Sequence, residues 1–365
     1  MAMRNLERHL SHVNLEEIGK EGQARIANSS VVVVGAGGLA SGTLPLLASS
    51  GFGKITIIDG DKIELSNLNR QPIYSEEDIG KPKAIVATEK IKGINRETEV
   101  VACPEFISPE NIDKLIGKPD IIIDCSDNAG THYLLSDYGY VMDVPVVFGA
   151  AEQFTGQVAV FNGKNKVTYR DIFPEPDFSH ASCSEIGVLS TLPALIGTLQ
   201  ASEAIKYITD LEGLDGKLLI IDLKNNVWET ISIQSTASKK QPKTLTEIKQ
   251  LDYKIPCVMF GFFKKPYEIG LGEAKQWLKR DDVVWIDVRG NAMLRAEAVP
   301  HKIIPAAEFE QRINEIPKDK TVVLFCNTGN TSGTLTQLLR QMGYDNVFSL
   351  KANISDFARM AEEQL

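Results

Sequence analysis

Two hydrophobic periods take turns along this chain. Short apolar runs read as strands buried on both faces: Val31–Val34, Ile55–Ile58 and Ile121–Asp124, with Glu99–Cys103 and Pro145–Gly149 beside them. Between these runs, Thr43–Ser50, Lys83–Lys92, Ser108–Ile116 and Thr131–Met142 read as helices. Strands alternating with helices at this spacing predict a mostly parallel sheet covered on both faces. From Gly156 the pattern changes. Gln157–Phe161 and Lys166–Tyr169 read as paired strands, Gly187–Ile208 as a long apolar helix, and Leu218–Asp222 with Val227–Ile233 as a second pair. This predicts an antiparallel extension of the sheet. Residues 236–244 are small, polar and Pro-containing, which is how a linker reads. Beyond it the α/β logic returns on a smaller scale: strands at Val283–Asp287, Thr321–Phe325 and Asn346–Ser349, helices at Ser332–Met342 and Ile354–Gln364. The expected organisation is a domain over 1–235, a linker over 236–244 and a smaller α/β domain over 245–365.

Composition narrows the function. The 365 residues are 43% hydrophobic and 24% charged, an ordinary globular balance, and the length suits two domains. The net charge of −9 is uneven: 20 basic against 32 acidic side chains in 1–235, three lysines in 236–244, and 16 of each sign in 245–365. An acidic chain is not expected to bind nucleic acid. No apolar run reaches the roughly 18–20 residues of a membrane helix, and the N-terminus lacks a signal-peptide core. Five dispersed cysteines (Cys103, Cys125, Cys183, Cys257, Cys326) form no C-x-x-C pair, which points to a reducing, cytoplasmic setting.

The glycine turn Gly35-Ala36-Gly37-Gly38 follows a strand and opens a helix, where backbone N–H groups and the helix N-terminus favour phosphate. Asp59 ends the next strand, placed to meet ribose hydroxyls. Arg70 closes a polar run, and Lys83 opens a helix after Gly80-Lys81-Pro82. Two cations beside a glycine loop, in a domain otherwise strongly acidic, suit a triphosphate better than a nicotinamide. Asp127, just past a strand, can give a carboxylate to Mg²⁺, which takes few protein ligands when it also binds phosphates.

Five ordered segments then resemble the ubiquitin-activating-type adenylyltransferases of sulfur-carrier proteins, the family of molybdopterin-synthase and thiamine-biosynthesis adenylyltransferases. They are Val33–Leu39, Ser66-Asn67-Leu68-Asn69-Arg70-Gln71, Gly80–Ala84, Asp124-Cys125-Ser126-Asp127-Asn128 and Phe154–Val158, in a match spanning roughly 4–233. The resemblance implies a Rossmann-like α/β fold and ATP·Mg²⁺. Gly35, Gly37 and Gly38 would meet the phosphates, and Asp59 the ribose. Ser66, Asn67, Asn69 and Arg70 would hold the nucleotide and its phosphates. Lys83 would stabilise charge at the α-phosphate, and Asp127 with Asn128 would hold Mg²⁺ and nucleotide. It also implies a homodimer in which Arg8 reaches the partner's ATP, and a small ubiquitin-like carrier ending in Gly-Gly. Two departures stand out. Ala40 replaces the usual last glycine of the loop. Many relatives carry two C-x-x-C pairs for zinc; the first pair's positions read Thr168 and Asp171 here, so no zinc is expected.

The cysteines divide. Cys183 precedes a long helix, and at this position the family holds a cysteine that can link covalently to the carrier. Cys103, Cys125 and Cys257 read as core packing. Cys326 lies in Phe325-Cys326-Asn327-Thr328-Gly329-Asn330-Thr331-Ser332, a strand–loop–helix turn whose inward N–H groups make an anion nest. With Trp285–Arg289 and Ile316–Lys320, it resembles a rhodanese-like sulfurtransferase domain, implying a persulfide on Cys326 and a cysteine-desulfurase sulfur donor. The resemblance is degenerate. Thr331 stands where such loops commonly carry arginine, and the usual H-I-P-G-A reads His301-Lys302-Ile303-Ile304-Pro305-Ala306-Ala307. The expected activity is adenylation of a sulfur carrier followed by sulfur transfer. Its rivals are a nicotinamide-dependent oxidoreductase, an adenylyltransferase whose tail only docks carriers, and an ATP-dependent cyclase acting on a modified tRNA base.

Overall fold

The computed structural model describes residues 6–174, 187–235, 241–253, 267–289, 299 and 301–362. The chain divides into two compact units: Met1–Leu218 with Gln234–Val258, and Leu219–Ile233 with Met259–Leu365.

In the first unit, β1 (Ser30–Val34), β2 (Lys54–Ile58), β3 (Glu99–Cys103), β4 (Ile121–Asp124), β5 (Val146–Glu152) and β6 (Thr155–Phe161) lie in the order β3-β2-β1-β4-β5-β6. The first five pair in parallel, with Val33 of β1 opposite Ile57 of β2 and Ile123 of β4; β6 pairs antiparallel to β5. Val31–Val34 and Ile121–Ile123 are buried, as apolar runs on a sheet covered on both faces must be. The unit's helices are α1 (Leu10–Val13), α2 (Gly19–Asn28), α3 (Gly38–Ser50), α4 (Lys83–Ile94), α5 (Ile112–Ile116), α6 (Ala129–Met142), α7 (Tyr169–Ile172), α8 (Thr191–Ile208) and α9 (Leu245–Gln250). Helices α3 and α8 cross at glycines: a Cβ on Gly42 would lie 2.3 Å from the Ala194 carbonyl, and one on Gly197 would lie 1.9 Å from that of Leu39. Ala40 is fully buried in α3, so the methyl that replaces the family's glycine is accommodated in the core.

The second unit holds most of β7 (Lys217–Asp222), β8 (Val227–Ser232), and a sheet of β9 (Glu268–Ile269), β10 (Val283–Asp287), β11 (His301–Ile303), β12 (Thr321–Phe325) and β13 (Val347–Leu350). That sheet runs β11-β10-β12-β13-β9, parallel throughout. Helices α10 (Leu271–Trp277), α11 (Asn330–Gln341) and α12 (Ile354–Glu362) accompany it. Its core gathers Trp285, Phe325 and Phe357, with the Trp285 and Phe357 rings stacked at 5.2 Å.

Two expectations are corrected, and two strands were not expected. Lys166–Tyr169 is not a strand. Lys166 has φ +52°, and Thr168 opens the short helix α7 as a capping box in which its N–H and Oγ1 donate to Asp171 at 2.7 and 2.9 Å. The long helix starts at Thr191, because Val188 bridges to Gln153 and Leu189 N–H donates to the Gln153 carbonyl at 2.8 Å. Strands β9 and β11 are too short, at two and three residues, for a periodicity to announce them. Among the described residues, no helix is long and apolar enough to cross a membrane.

Candidate functional site

The order of the first sheet reverses direction at β1, flanked by β2 and β4. At such a switch point the loops leaving the C-terminal strand ends part and leave a crevice. A cleft of about 840 Å³ lies there, lined by the turn after β1 (Gly35, Gly37, Gly38), Asp59 and Asp61 after β2, and Ser126, Asp127 and Asn128 after β4. Asn67, Arg70, Gln71 and Lys83 complete its polar wall.

The turn is built by close approach. Gly35 has φ +91°, and a Cβ there would stand 2.6 Å from the Cys125 carbonyl, so only glycine fits between β1 and β4. Asp59 shapes the same turn. It accepts from the Ala36 N–H at 2.6 Å and the Asp61 N–H at 2.7 Å. Burial pushes its carboxyl up, and those two hydrogen bonds with the nearby Lys83 charge oppose the rise. Tyr74, unmarked in the sequence, shares its hydroxyl between the carbonyls of Ala36 (2.7 Å) and Lys83 (3.2 Å), fastening the glycine turn to the start of α4. Lys83 is buried and pairs with Asp61 at 3.1 Å.

Nine of the expected residues therefore meet in one cleft: Gly35, Gly37, Gly38, Asp59, Asn67, Arg70, Lys83, Asp127 and Asn128. Ser66 and Asn69 stand behind it. Their oxygens accept from the Arg70 guanidinium at 3.0 Å (the Ser66 carbonyl) and 3.4 Å (Asn69 Oδ1), so they orient the cation. Asn128 caps α6 through Oδ1, accepting from the Thr131 N–H at 2.8 Å. Arg8 does not line the cleft of its own chain; it donates to the Ile94 carbonyl at 3.1 Å. Asp61 and Gln71 complete the site unforeseen, though Gln71 stood inside a segment already singled out. Gln71 Oε1 is buried without a hydrogen-bond partner, and its Nε2 lies 3.4 Å from where a Gly37 Cβ would stand. An orphaned amide over an open glycine cradle is what a ligand supplying donors and acceptors would satisfy. Cys183 and Cys257 lie outside the described residues. Cys103 is half-buried in β3, and Cys125 is buried, its thiol pushed up by burial and donating to Gln200 Oε1 at 3.3 Å.

In the second unit Cys326 leaves the central strand β12 and is almost fully buried. Its Sγ accepts from the Gly329 N–H at 3.1 Å, and from the Ser332 N–H and Oγ at 3.5 Å each. The Ser332 hydroxyl meets that of Ser349 at 2.8 Å. Two cations stand near this loop: Arg289 is buried in a two-pronged bond to Asp287, with Nε at 2.8 Å from one oxygen and NH2 at 2.6 Å from the other, and Lys351 beside Gly329 donates from Nζ to Asn330 Oδ1 at 3.4 Å. On β8, Glu229 accepts from the Thr331 hydroxyl, and burial pushes its carboxyl up. Lys302, the residue inserted into the degenerate segment, pairs with Glu315 at 2.6 Å.

Fold and cleft define a phosphate-binding α/β unit accompanied by a small parallel α/β unit that carries a cysteine nest. The chain belongs to the ThiF family, whose model matches residues 9–243, and a rhodanese-like domain matches 271–360. It is 41% identical over 237 residues to a sulfur carrier protein adenylyltransferase of Thermus thermophilus, covering 63% of this chain and 88% of that one. It is 32% identical to the probable adenylyltransferase/sulfurtransferase MoeZ of Mycobacterium tuberculosis, covering 100% of this chain and 96% of the relative. With the Arabidopsis thaliana adenylyltransferase and sulfurtransferase MOCS3 it shares 31% identity, over 96% of this chain and 83% of that one. The crystal structure of E. coli MccB with ATP superposes with TM-score 0.55 at 22% identity, covering 60% of this chain and 67% of that one, which is a likeness of fold.

Proposed function

We propose that this chain uses ATP to adenylate the C-terminal glycine of a small ubiquitin-like sulfur carrier ending in Gly-Gly, and then delivers sulfur to it. One observation carries the reading: a phosphate-type glycine turn, Arg70, Lys83 and Asp127 share a single cleft, in a chain whose named relatives are adenylyltransferase/sulfurtransferases along its whole length. The carrier carboxylate attacks the α-phosphate, the bond to the β-phosphate breaks, and pyrophosphate leaves. No general base is needed, because a carboxylate is already ionised. The residues supply alignment and charge: Gly37 and Gly38 present N–H groups, and Arg70 and Lys83 neutralise the phosphates as charge builds on them. Asp127, with Asn128 beside it, would hold Mg²⁺, which needs only one or two protein carboxylates when phosphates complete its shell and which screens their charge.

The terminal sulfur of a Cys326 persulfide then displaces AMP to give an acyl disulfide, and Cys183 is assigned to attack the Cys326 sulfur, releasing the carrier thiocarboxylate and leaving a Cys183–Cys326 disulfide that an external dithiol reduces. The sulfur reaches Cys326 from a cysteine desulfurase. Arg8 acts on the ATP of a second copy in a homodimer, in the cytoplasm. No zinc is assigned, because Thr168 and Asp171 are spent on each other in the capping box of α7 and offer no thiolate. Nucleic acid and membranes are not among the partners. Carrier-dependent ATP–pyrophosphate exchange tests the first step. Exchange is expected with wild type and is lost in Arg70→Ala and Lys83→Ala; exchange that survives both substitutions rejects the site.

A further inference from the structure

The stretch expected as a linker ends at residue 244, yet the chain beyond residue 240 is fastened to the first unit. Asp137 on α6 has no exposed surface and receives four hydrogen bonds: Arg170 Nε at 2.9 Å and NH2 at 2.7 Å, Gln241 Nε2 at 2.9 Å and the Tyr253 hydroxyl at 2.7 Å. Two of these donors lie past residue 240. Between them, α9 buries Ile248 completely. At the other end, a Cβ on Gly130 would stand 2.0 Å from the Tyr253 carbonyl, so this backbone is pressed onto the first turn of α6 at a position only glycine can occupy. Burial first, and then the Asp137 charge, hold the Tyr253 hydroxyl far above its usual range, so it stays a donor. Gln250, Leu251, Asp252 and Tyr253 line the same cleft as Gly37 and Gly38, and Gly130 lines it too.

We propose that Gln250–Tyr253 form a wall of the nucleotide cleft on its nucleoside side, and that Asp137 is the positioning residue that holds the wall in place. The phosphate-facing groups are gathered at Gly37, Gly38, Arg70 and Lys83. Phe106, Ile107, Leu134, Leu251 and Tyr253 also line the cleft and supply apolar surface of the kind a base and sugar require. The segment joining the two α/β domains thereby belongs to the adenylation site. This rests on the ATP reading above.

The test compares ATP with inorganic tripolyphosphate, which lacks the nucleoside, by calorimetry on the full chain. Tyr253→Phe removes one hydrogen bond and keeps the ring. It is expected to weaken ATP about 3–10-fold and leave tripolyphosphate unchanged. Asp137→Asn, which loosens all three donors, is expected to weaken ATP further and to open Lys249 to trypsin. Tyr253→Phe binding ATP as wild type does, or losing ATP and tripolyphosphate alike, overturns the wall and leaves the ATP reading standing. Wild-type protein that binds no ATP overturns both.

Discussion

Two strand–loop–helix turns of this protein, after β1 and after β12, share a backbone design and differ in charge. After β1, Gly35 takes φ +91° with its missing Cβ 2.6 Å from the Cys125 carbonyl; after β12, Gly329 takes φ +90° with its missing Cβ 2.8 Å from the Leu350 carbonyl. Each opens a helix of 12 or more residues, α3 and α11, whose N-terminus favours an anion. The first turn has Arg70 and the buried Lys83 on its cleft. In the second, the N–H groups converge on one sulfur, Arg289 is neutralised by Asp287, Lys351 donates to Asn330 at 3.4 Å, and a carboxyl, Glu229, stands against Thr331. Backbone geometry makes a cradle for negative charge in both. The side chains around it set what it suits: several phosphate charges in one, a single sulfur atom in the other.

The largest expected effect breaks the comparison on its cationic side. Lys83→Met should lower carrier-dependent ATP–pyrophosphate exchange about 10²–10³-fold, the usual loss when one donor to a developing charge is removed. Persulfide loading of Cys326, read by intact mass, should be unchanged. A variant that loses both would show that the two turns do not function separately.

A matched pair of substitutions then tests the shared backbone. Gly35→Ala and Gly329→Ala each force a Cβ into a left-handed turn and against a carbonyl oxygen, at a cost of about 1–3 kcal/mol. Each should lower the thermal midpoint, Gly35→Ala abolishing exchange first and Gly329→Ala abolishing persulfide loading first. Equal loss of both activities in both variants would mean that the strain is not local.

How far these turns were legible depended on what encodes them. Glycines, flanking strands and the Ser66–Arg70 run are contiguous signals, and most of the residues they mark share the cleft, Ser66 and Asn69 excepted. Asp59 was read as a ribose ligand; in the structure it also organises the turn through the Ala36 N–H, a through-space role that sequence spacing does not express. Tyr74 and Asp137 were missed for a related reason. Each acts through a partner far along the chain, Ala36 and Tyr253 respectively, and no local pattern marks a residue whose work is to hold another segment. Thr168 and Asp171 were legible only as an absence of cysteine; the helix they cap instead had to be seen.

The comparison sharpens on its anionic side. Thiosulfate carries two negative charges; the Cys326 nest offers it N–H groups, with Arg289 held by Asp287 and the Lys351 ammonium donating to Asn330 Oδ1 at 3.4 Å. Thr331→Arg should raise sulfur transfer from thiosulfate about tenfold, since a charge-assisted bond replaces a neutral hydroxyl. Glu229→Gln should raise it less, about threefold, by removing repulsion alone. Neither should change loading from a neutral alkyl persulfide. A rise with both donors would indicate a loosened loop rather than altered charge.

The smallest expected effect is a pH dependence of stability centred on Glu229. Burial, chiefly, lifts its carboxyl above the unfolded value, with Asp287 and Asp222 adding to the rise and the Thr331 hydroxyl and Arg289 opposing it. A carboxyl raised in the folded state binds more protons folded than unfolded across that interval. Its contribution is therefore fully present below the unfolded carboxylate value, about pH 4.3 for glutamate, and is lost as pH rises through the folded one. Glu229→Gln holds a neutral amide at every pH, so it should flatten this component of the fall in thermal midpoint between acid and neutral solution. The variant should gain most at neutral pH, where wild type buries a charge beside Asp287. An identical pH slope in wild type and Glu229→Gln would mean that Glu229 titrates as an exposed carboxyl, and the contrast between the two turns would then rest on Arg70 and Lys83 alone.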